Sequence, residues 1–233
     1  MAAAAIIVAA GRGERFGSST PKCFLELAAK PVFLWSLEAF AQVPAVKFAA
    51  LIVPAGFEEL ASRATIPLQA RMKTVVAVGG RERPESVLAG IEAVRRWEPD
   101  VVAIHDGARP LATPELIARC ITAARQVDAA IAAAPSTDTL KRVADGRIVE
   151  TLDRREVWRA QTPQVFKTEL ILEAYERAQA DGFEATDDAA LVERLGVRPA
   201  VVESDWTNLK ITVPADLLVA EALLRARSGR GED

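Results

Sequence analysis

Short apolar runs of strand length alternate with segments of helical spacing along the first half of the chain. The apolar runs cover residues 4–10, 48–53, 74–78, 101–105 and 128–134. Between them, apolar residues recur at helical spacing over 32–42, 83–97 and 114–126. Runs such as VVAI at 101–104 are apolar on both faces, which is typical of a parallel sheet covered by helices on each side. The alternation predicts an open α/β sheet with right-handed crossovers, a fold that binds ligands beyond the carboxyl ends of its strands.

The pattern changes at residues 138–152, where two short alternating segments flank Asp145-Gly146. An Asp-Gly pair in this setting favours a β-hairpin with a type I′ turn. The segment is polar for a central strand pair, and an isolated ribbon is marginally stable, so we expect a projecting arm that packs on something else. After it, the spacing predicts helices over 168–181, 187–195 and 214–227, and short strands near 198–203 and 208–212. Because no linker is visible, we expect one domain over 1–233 with an arm at about 136–155.

Composition narrows the class of protein further. The net charge is −3 at pH 7, which argues against a general nucleic-acid or membrane-surface binder. No apolar run approaches the ~20 residues of a membrane helix, so we expect no membrane partner. The two cysteines, Cys23 and Cys120, form neither a disulfide framework nor a metal-ligand spacing, and a reducing cytoplasm fits best.

The loop that follows the first apolar run combines glycines with cations. It contains Gly11, Gly13 and Gly17 together with Arg12, Arg15 and Lys22. Glycines at a strand end let backbone N–H groups approach an anion closely, so the loop indicates a polyphosphate-binding site. A dinucleotide fingerprint would need glycine in place of Phe16, and a Walker A loop would need Gly-Lys-Ser/Thr. On this segment alone, an ordinary glycine-rich turn with solvated charges remains open.

A second candidate site is the sequence IHDGARP at 104–110, which directly follows an apolar strand. Asp106 would emerge at the same edge of the sheet as the glycine loop, where a carboxylate can hold Mg²⁺ against phosphate oxygens. The alternative for Asp106 is a turn or helix cap. His105 is interpreted as a hydrogen-bonded residue at the strand end and is given no part in catalysis.

Further polar candidates lie at predicted loops and helix starts. In GGRERPESVLAG at 79–90, Ser86 stands in the first turn of a helix, where free N–H groups can hold a base edge or a ribose hydroxyl. Plain helix capping is the alternative for Ser86, and N-capping is the alternative for Thr186. The remaining candidates are Thr139, Arg154, Thr162 and Lys210.

Taken together, these segments resemble the methylerythritol-phosphate cytidylyltransferase family, the nucleotidyltransferases of the non-mevalonate isoprenoid pathway. The resemblance spans nearly the whole chain in the expected order. The stretches that carry it are AAGRGERFGSSTPK at 9–22, GGRERPESVLAG at 79–90, HDGARP at 105–110, TDTLKR at 137–142, TLDRREVW at 151–158, QTPQVF at 161–166, TDDA at 186–189 and NLKIT at 208–212.

The resemblance implies a Rossmann-like, GT-A-like nucleotidyltransferase fold, with an open, mostly parallel sheet, helices on both faces and a protruding β-hairpin arm. It implies that Arg15 and Lys22 bind the triphosphate of CTP, that Asp106 lies near Mg²⁺ and that Lys210 stands at the α-phosphate. The implied cytosine and ribose contacts are Ala9, Ala10, Gly11, Gly80 and Ser86. The residues implied to face the sugar phosphate are Thr139, Lys141, Arg154, Thr162 and Thr186.

The implied reaction is transfer of a cytidylyl group from CTP to methylerythritol phosphate in a homodimer joined through the hairpin arm. A pentitol-phosphate cytidylyltransferase acting on ribitol 5-phosphate is the nearest alternative, but HDGARP and TLDR resemble the methylerythritol enzymes better. A nicotinamide oxidoreductase is disfavoured by Phe16 and by the absence of an acidic residue after Val53. A noncatalytic nucleotide-binding protein is disfavoured because Lys22, Asp106 and Lys210 are all present.

Overall fold

The computed structural model of the protein describes residues 1–11, 16 and 20–228. The strands are β1 (Ala3–Val8), β2 (Glu26–Leu27), β3 (Lys30–Pro31), β4 (Val46–Val53), β5 (Lys73–Val78), β6 (Val101–Asp106), β7 (Ala129–Pro135), β8 (Lys141–Ala144), β9 (Arg147–Thr151), β10 (Trp158–Lys167) and β11 (Ala200–Glu203). The α-helices are α1 (Val32–Ala41), α2 (Glu58–Thr65), α3 (Arg83–Arg95), α4 (Pro114–Val127), α5 (Thr168–Asp181), α6 (Asp188–Glu193) and α7 (Pro214–Ser228). Short 3₁₀ helices cover Lys22–Phe24 and Ile66–Leu68.

Seven of these strands form one sheet in the order β11-β7-β10-β6-β1-β4-β5. β10 runs antiparallel to β6 and β7, and the other neighbouring strands of this sheet pair in parallel. The predicted open, mostly parallel sheet is therefore confirmed. The carboxyl ends of β1, β4, β5 and β6 lie side by side at one edge of this sheet, because these strands pair in parallel.

Helices cover both faces of the sheet, as the doubly apolar strands predict. On one face, α1 and α4 bury Phe33, Leu37 and Ile117 against the sheet. On the other face, α3 and α5 bury Ile91 and Ile171. Alternate residues of β1 enter the two cores, and all but its last residue are buried, so β1 forms the centre of the protein. In the described part of the chain, no helix is long and apolar enough to cross a membrane.

Gly90 lets α3 pack unusually closely on β1. A Cβ atom at Gly90 would lie 2.3 Å from the Cγ2 atom of Ile6, which is fully buried. Only a residue without a side chain fits between the helix and this strand. The close packing matters for the site, because the N-terminus of α3 carries residues that line the cleft at the carboxyl edge.

The predicted hairpin is present as the strand pair β8–β9. Asp145 and Gly146 have φ values of +50° and +71°, the positive φ at both central residues that a type I′ turn requires. Every residue of β8 and β9 is exposed, including the apolar side chains of Val143, Ile148 and Val149. The hairpin therefore projects from the sheet as an arm.

The observed secondary structure differs from the predicted one in several places. Strand β10 was not predicted, because its segment QTPQ is polar and contains a proline. Helix α2 was also not predicted. Conversely, the strand expected near 208–212 is absent, and that segment is irregular. It is held instead by individual contacts, such as the bond from the Ile211 N–H to the Ala108 carbonyl at 2.8 Å.

Candidate active site

A cleft of about 410 Å³ opens at the carboxyl edge of the sheet. Its walls are the segments that follow β1, β4 and β5, the end of β6, and two lysines from elsewhere in the chain. The structure brings together the following predicted residues in its lining: Ala10, Gly11, Lys22, Gly80, Ser86, Asp106 and Lys210. Ala9 lies buried beside them and donates its backbone N–H to the Ile52 carbonyl at 2.8 Å.

Asp106 is the centre of charge in this cleft. The Lys210 Nζ atom lies 2.8 Å from its Oδ2 atom, and the Arg83 Nε atom lies 3.3 Å from its Oδ1 atom. The Arg109 Nε atom lies 3.7 Å from Oδ2. Burial alone would raise the pKa of Asp106, but the charges of Lys210, Arg83 and Arg109 outweigh it and hold this pKa well below its usual range. Asp106 is therefore a permanent carboxylate surrounded by cations.

Arg83 is a site residue that sequence reasoning missed. Its Nη2 atom donates to the Asp188 Oδ2 atom at 2.7 Å, so Arg83 bridges Asp106 and Asp188. Tyr175 donates its hydroxyl to the other oxygen of Asp188, whose side chain is about 1% exposed. Burial lowers the pKa of Arg83, but Asp188 and Asp106 outweigh burial and raise it above its ordinary value. A signal was present in the sequence, because a cation at the first residue of a helix opposes the helix dipole and needs another explanation.

Two glycines and Ser86 shape the loop between β5 and α3. A Cβ atom at Gly79 would lie 2.4 Å from the Ala10 Cβ atom, so this position must be glycine for the loops to meet. The Gly80 N–H donates to the Ser86 Oγ atom at 3.2 Å, and Ser86 donates in turn to the Glu82 carbonyl at 3.1 Å. The buried hydroxyl of Ser86 thus ties the loop to the start of α3. It is not a helix cap, because Glu82 is the N-cap residue of α3 and no side chain caps this helix.

Thr162 and Thr186 lie outside the lining of the cleft. Thr162 is 4% exposed, and its hydroxyl accepts the backbone N–H of Asp106 at 3.0 Å. Thr186 is exposed and lines a neighbouring cavity of about 540 Å³ between α3, α5 and α6. The suggestion that Thr186 caps a helix is wrong, because Asp187 is the N-cap of α6 and accepts the N–H of Ala190 at 3.0 Å.

The predicted contacts on and beside the arm do not reach the cleft within one chain. Thr139, Lys141 and Arg154 are exposed and are not among its lining residues. The Lys141 Nζ atom donates to the Thr151 hydroxyl at 2.7 Å, and the Arg154 Nη1 atom donates to the Thr137 carbonyl at 3.0 Å.

The glycine-rich loop and the cysteines complete the set of sequence predictions. Arg15 lies outside the described residues, whereas Lys22 begins the 3₁₀ helix beside the cleft. Cys23 is buried, and burial raises the pKa of its thiol to about 12, so it is an inert thiol. Burial likewise raises the pKa of Cys120 to about 12.

The residues of the cleft fit a magnesium site that the substrate completes. Among residues 1–11, 16 and 20–228, no group of three or more His, Cys, Asp and Glu side chains could hold a metal by itself. Mg²⁺ usually takes only one or two carboxylates and fills its other positions with water and phosphate oxygens. Asp106, whose pKa is held low, could supply a carboxylate oxygen of this kind at the edge of the cleft.

An α/β sheet that carries a cleft and a cation-ringed aspartate at its carboxyl edge is an arrangement that suits a nucleotidyltransferase. The sequence profile of the 2-C-methyl-D-erythritol 4-phosphate cytidylyltransferase family matches residues 3–226. A protein of that name from Syntrophus aciditrophicus is 42% identical over 228 residues, covering 97% of each chain. The chain therefore belongs to the 2-C-methyl-D-erythritol 4-phosphate cytidylyltransferase family.

Solved structures agree with this assignment. The 4-diphosphocytidyl-2C-methyl-D-erythritol synthase of Anaerococcus prevotii superposes with a TM-score of 0.85 at 30% identity, covering 96% of this chain and 98% of that chain. The 2-C-methyl-D-erythritol 4-phosphate cytidylyltransferase of Thermus thermophilus gives a TM-score of 0.79 at 35% identity, covering 97% of this chain and 100% of that chain. The expected fold is confirmed over nearly the full chain.

Proposed function

We propose that the protein transfers a cytidylyl group from CTP to 2-C-methyl-D-erythritol 4-phosphate, giving 4-diphosphocytidyl-2-C-methyl-D-erythritol and pyrophosphate. The observation that carries the proposal is the cleft in which Lys210 and Arg83 converge on Asp106 beside Lys22. Family membership supports the choice of nucleotide and acceptor. The buried, free cysteines support a cytoplasmic location, and we propose a single domain with an arm at about 136–155.

The chemistry explains why the cleft holds cations rather than a general base. The acceptor phosphate is already ionised near neutral pH, so its oxygen can attack the α-phosphate of CTP directly. A new P–O bond forms, the bond to the β-phosphate breaks, and pyrophosphate leaves with the electron pair. Two anions must therefore be brought together, and positioning and fixed positive charge supply most of the acceleration.

Individual roles follow from position. Lys22 and Arg15 would bind the triphosphate, and Lys210 would stand at the α-phosphate. The residues proposed to form the cytidine pocket are Ala9, Ala10, Gly11, Gly80 and Ser86. The residues proposed to face the sugar phosphate are Thr139, Lys141, Arg154 and Thr186. We do not assign Thr162 to that set, because its buried hydroxyl is engaged by the main chain of Asp106.

Asp106 would hold Mg²⁺, which as a Lewis acid neutralises charge on the phosphate oxygens. Asp106→Asn should raise the Mg²⁺ concentration needed for half-maximal rate by at least about tenfold, since losing a group that merely supports a metal ligand costs that much. The measurement is the rate of pyrophosphate release during a magnesium titration.

Asp128→Asn is the matched control for this titration. Asp128 lies at the opposite edge of the sheet, and its φ of +74° is a conformation that asparagine also tolerates. Its magnesium dependence should equal that of the unmodified protein. If Asp106→Asn also leaves the titration curve unchanged, Asp106 is not a metal ligand.

We further propose a two-fold homodimer in which each arm completes the site of the partner. The exposed apolar residues Val143, Ile148 and Val149 of the arm support this, because they need a surface to cover them. Thr139 and Arg154 also lie at or beside the arm and away from the cleft of their own chain. In such a dimer, each site would combine Lys22 of one chain with Arg154 of the other.

The shared site predicts complementation between inactive chains. Lys22→Ala and Arg154→Ala proteins, mixed one to one, unfolded and refolded, should form about half mixed dimers, so roughly a quarter of all sites should be intact. Pyrophosphate release measures the recovery. A parallel mixture of Lys22→Ala with Lys210→Ala should recover nothing, because those two lysines belong to the same chain in every site. If mixed dimers of the first pair stay inactive, each chain builds its own site.

The function itself is tested by selectivity for nucleotide and acceptor. Pyrophosphate release should require CTP together with methylerythritol phosphate and should be much slower with ATP, GTP or UTP. Faster turnover with ribitol 5-phosphate would assign the protein to the pentitol-phosphate enzymes. Hydride transfer to a nicotinamide cofactor without pyrophosphate release would contradict the entire class.

A further inference from the structure

Strand β10 leaves the sheet ladder just where it reaches Asp106. Its pairing with β6 ends at Gln164, which faces Ile104, and continuation of this register would place Thr162 opposite Asp106. The pairing of β10 with β7 is irregular over the same residues. The Thr162 carbonyl is instead turned to Asn208, whose Nδ2 atom donates to it at 2.9 Å. The Thr162 hydroxyl accepts the Asp106 N–H in place of the main-chain carbonyl that a regular strand pairing would offer.

His105 links the Thr162 hydroxyl to the main-chain carbonyl of Arg109. The His105 Nε2 atom lies 3.1 Å from the Arg109 carbonyl, which can only accept, so Nε2 carries a proton. The other ring nitrogen of His105, Nδ1, lies 3.0 Å from the Thr162 hydroxyl.

The contacts close into a ring that is bonded to Asp106 and includes a residue close to Lys210 in the sequence. Arg109, whose carbonyl accepts from His105, donates its Nη1 atom to the Asn208 carbonyl at 2.7 Å, and Asn208 returns to Thr162. We call His105, Arg109, Thr162 and Asn208 the buried ring. Asp106 is bonded to it through its main chain, and Lys210 follows Asn208 by two residues in a segment without sheet pairing.

We propose that the buried ring fixes the distance between the Asp106 carboxylate and the Lys210 ammonium group. Thr162 is then a positioning residue that acts through Asp106, and it does not contact the sugar phosphate. The proposal rests on the proposed function only for its kinetic consequences. Loss of the Thr162 hydroxyl would leave the Asp106 N–H and the Nδ1 atom of His105 without partners in a buried place. The strand end would then shift, and small displacements of reacting groups lower the rate of the chemical step strongly.

The structural test is amide hydrogen exchange at Asp106 in two variants. Thr162→Val has nearly the same shape but no hydroxyl, whereas Thr162→Ser keeps the hydroxyl. Exchange at Asp106 should be at least about tenfold faster in Thr162→Val and unchanged in Thr162→Ser. Thr113→Val is the matched control, since its hydroxyl accepts the Leu116 N–H at 3.2 Å at the start of α4. It should speed exchange at Leu116 only. Equal exchange rates at Asp106 in all variants would contradict the proposed role of the Thr162 hydroxyl in the buried ring.

The kinetic test separates positioning from substrate contact. Thr162→Val should lower kcat by about tenfold to hundredfold and leave KM for methylerythritol phosphate within about twofold, while Thr162→Ser should restore kcat. In an Asp106→Asn background, Thr162→Val should have little further effect, because both changes act on the same group. A higher KM with unchanged kcat would make Thr162 a substrate contact instead. If the unmodified protein does not catalyse cytidylyl transfer, the proposed function is wrong. The hydrogen-exchange test of the buried ring does not depend on that activity.

Discussion

Lys210→Ala should lower kcat/KM by about 10²–10³-fold, or about 2.7–4 kcal/mol of transition-state stabilisation, by analogy with the loss of one oxyanion-hole donor. Lys210 is half-buried at the mouth of the cleft, and its Nζ atom lies 2.8 Å from Asp106. A cation held there can meet the charge that develops on the α-phosphate. Because Arg83 and Arg109 still face Asp106 in the variant, the fold should remain intact. Steady-state pyrophosphate release and urea unfolding measure the two effects.

Lys167→Ala is the matched control for Lys210→Ala. Lys167 forms an exposed ion pair with Asp128 at the opposite edge of the sheet, so its removal also deletes a paired lysine. This variant should keep its activity. Near-normal kcat/KM in Lys210→Ala would remove Lys210 from the reaction, and a large loss of stability would attribute its effect to folding.

Arg83→Met should lower the free energy of unfolding by about 3–5 kcal/mol, the usual cost of removing one partner from a buried ion pair. Asp188 is almost fully buried, and without Arg83 its carboxylate would keep, among the described residues, only the hydroxyl of Tyr175. Activity should fall as well, because Arg83 also faces Asp106 in the cleft. Urea unfolding at neutral pH measures the stability.

A second substitution tests the cause of that loss. In Arg83→Met/Asp188→Asn, the buried charge is gone and the amide oxygen can still accept from Tyr175, so much of the lost stability should return. Arg63→Met removes an arginine from an exposed pair with Glu59 and should cost only about 0.3–0.5 kcal/mol. If the double variant is no more stable than Arg83→Met, the ion pair is not what Arg83 contributes.

The sequence pattern was sufficient to predict the parallel part of the sheet and the position of Asp106. Strands such as β6 are apolar on both faces, and an acidic residue at the end of such a strand emerges at the carboxyl edge. The hairpin was equally clear, because an Asp-Gly pair suits the positive φ of its turn. β10 was missed because it is antiparallel and interrupted at Pro163, and therefore lacks the continuous apolar run of its neighbours.

Contacts between residues that lie far apart in the sequence could not be predicted from local sequence patterns. Arg83 gains its importance from Asp106 and Asp188, which lie 23 and 105 residues away in the chain. The segment 208–212 has the apolar alternation of a strand, but Arg109 and Ala108 hold it by side-chain and main-chain contacts without sheet pairing. Thr162 carries a hydroxyl that suits a substrate contact, and only the register of β10 against β6 shows that it faces Asp106.

The central claim is that the acceptor phosphate attacks the α-phosphate of CTP in the cleft around Asp106 and Lys210. Its most direct test uses methylerythritol phosphate with ¹⁸O in its phosphate group, followed by mass spectrometry of both products. We expect all of the ¹⁸O label to stay in 4-diphosphocytidyl-2-C-methyl-D-erythritol and none to appear in the released pyrophosphate. Label in the pyrophosphate, or release of unlabelled CMP with the acceptor unchanged, would contradict it.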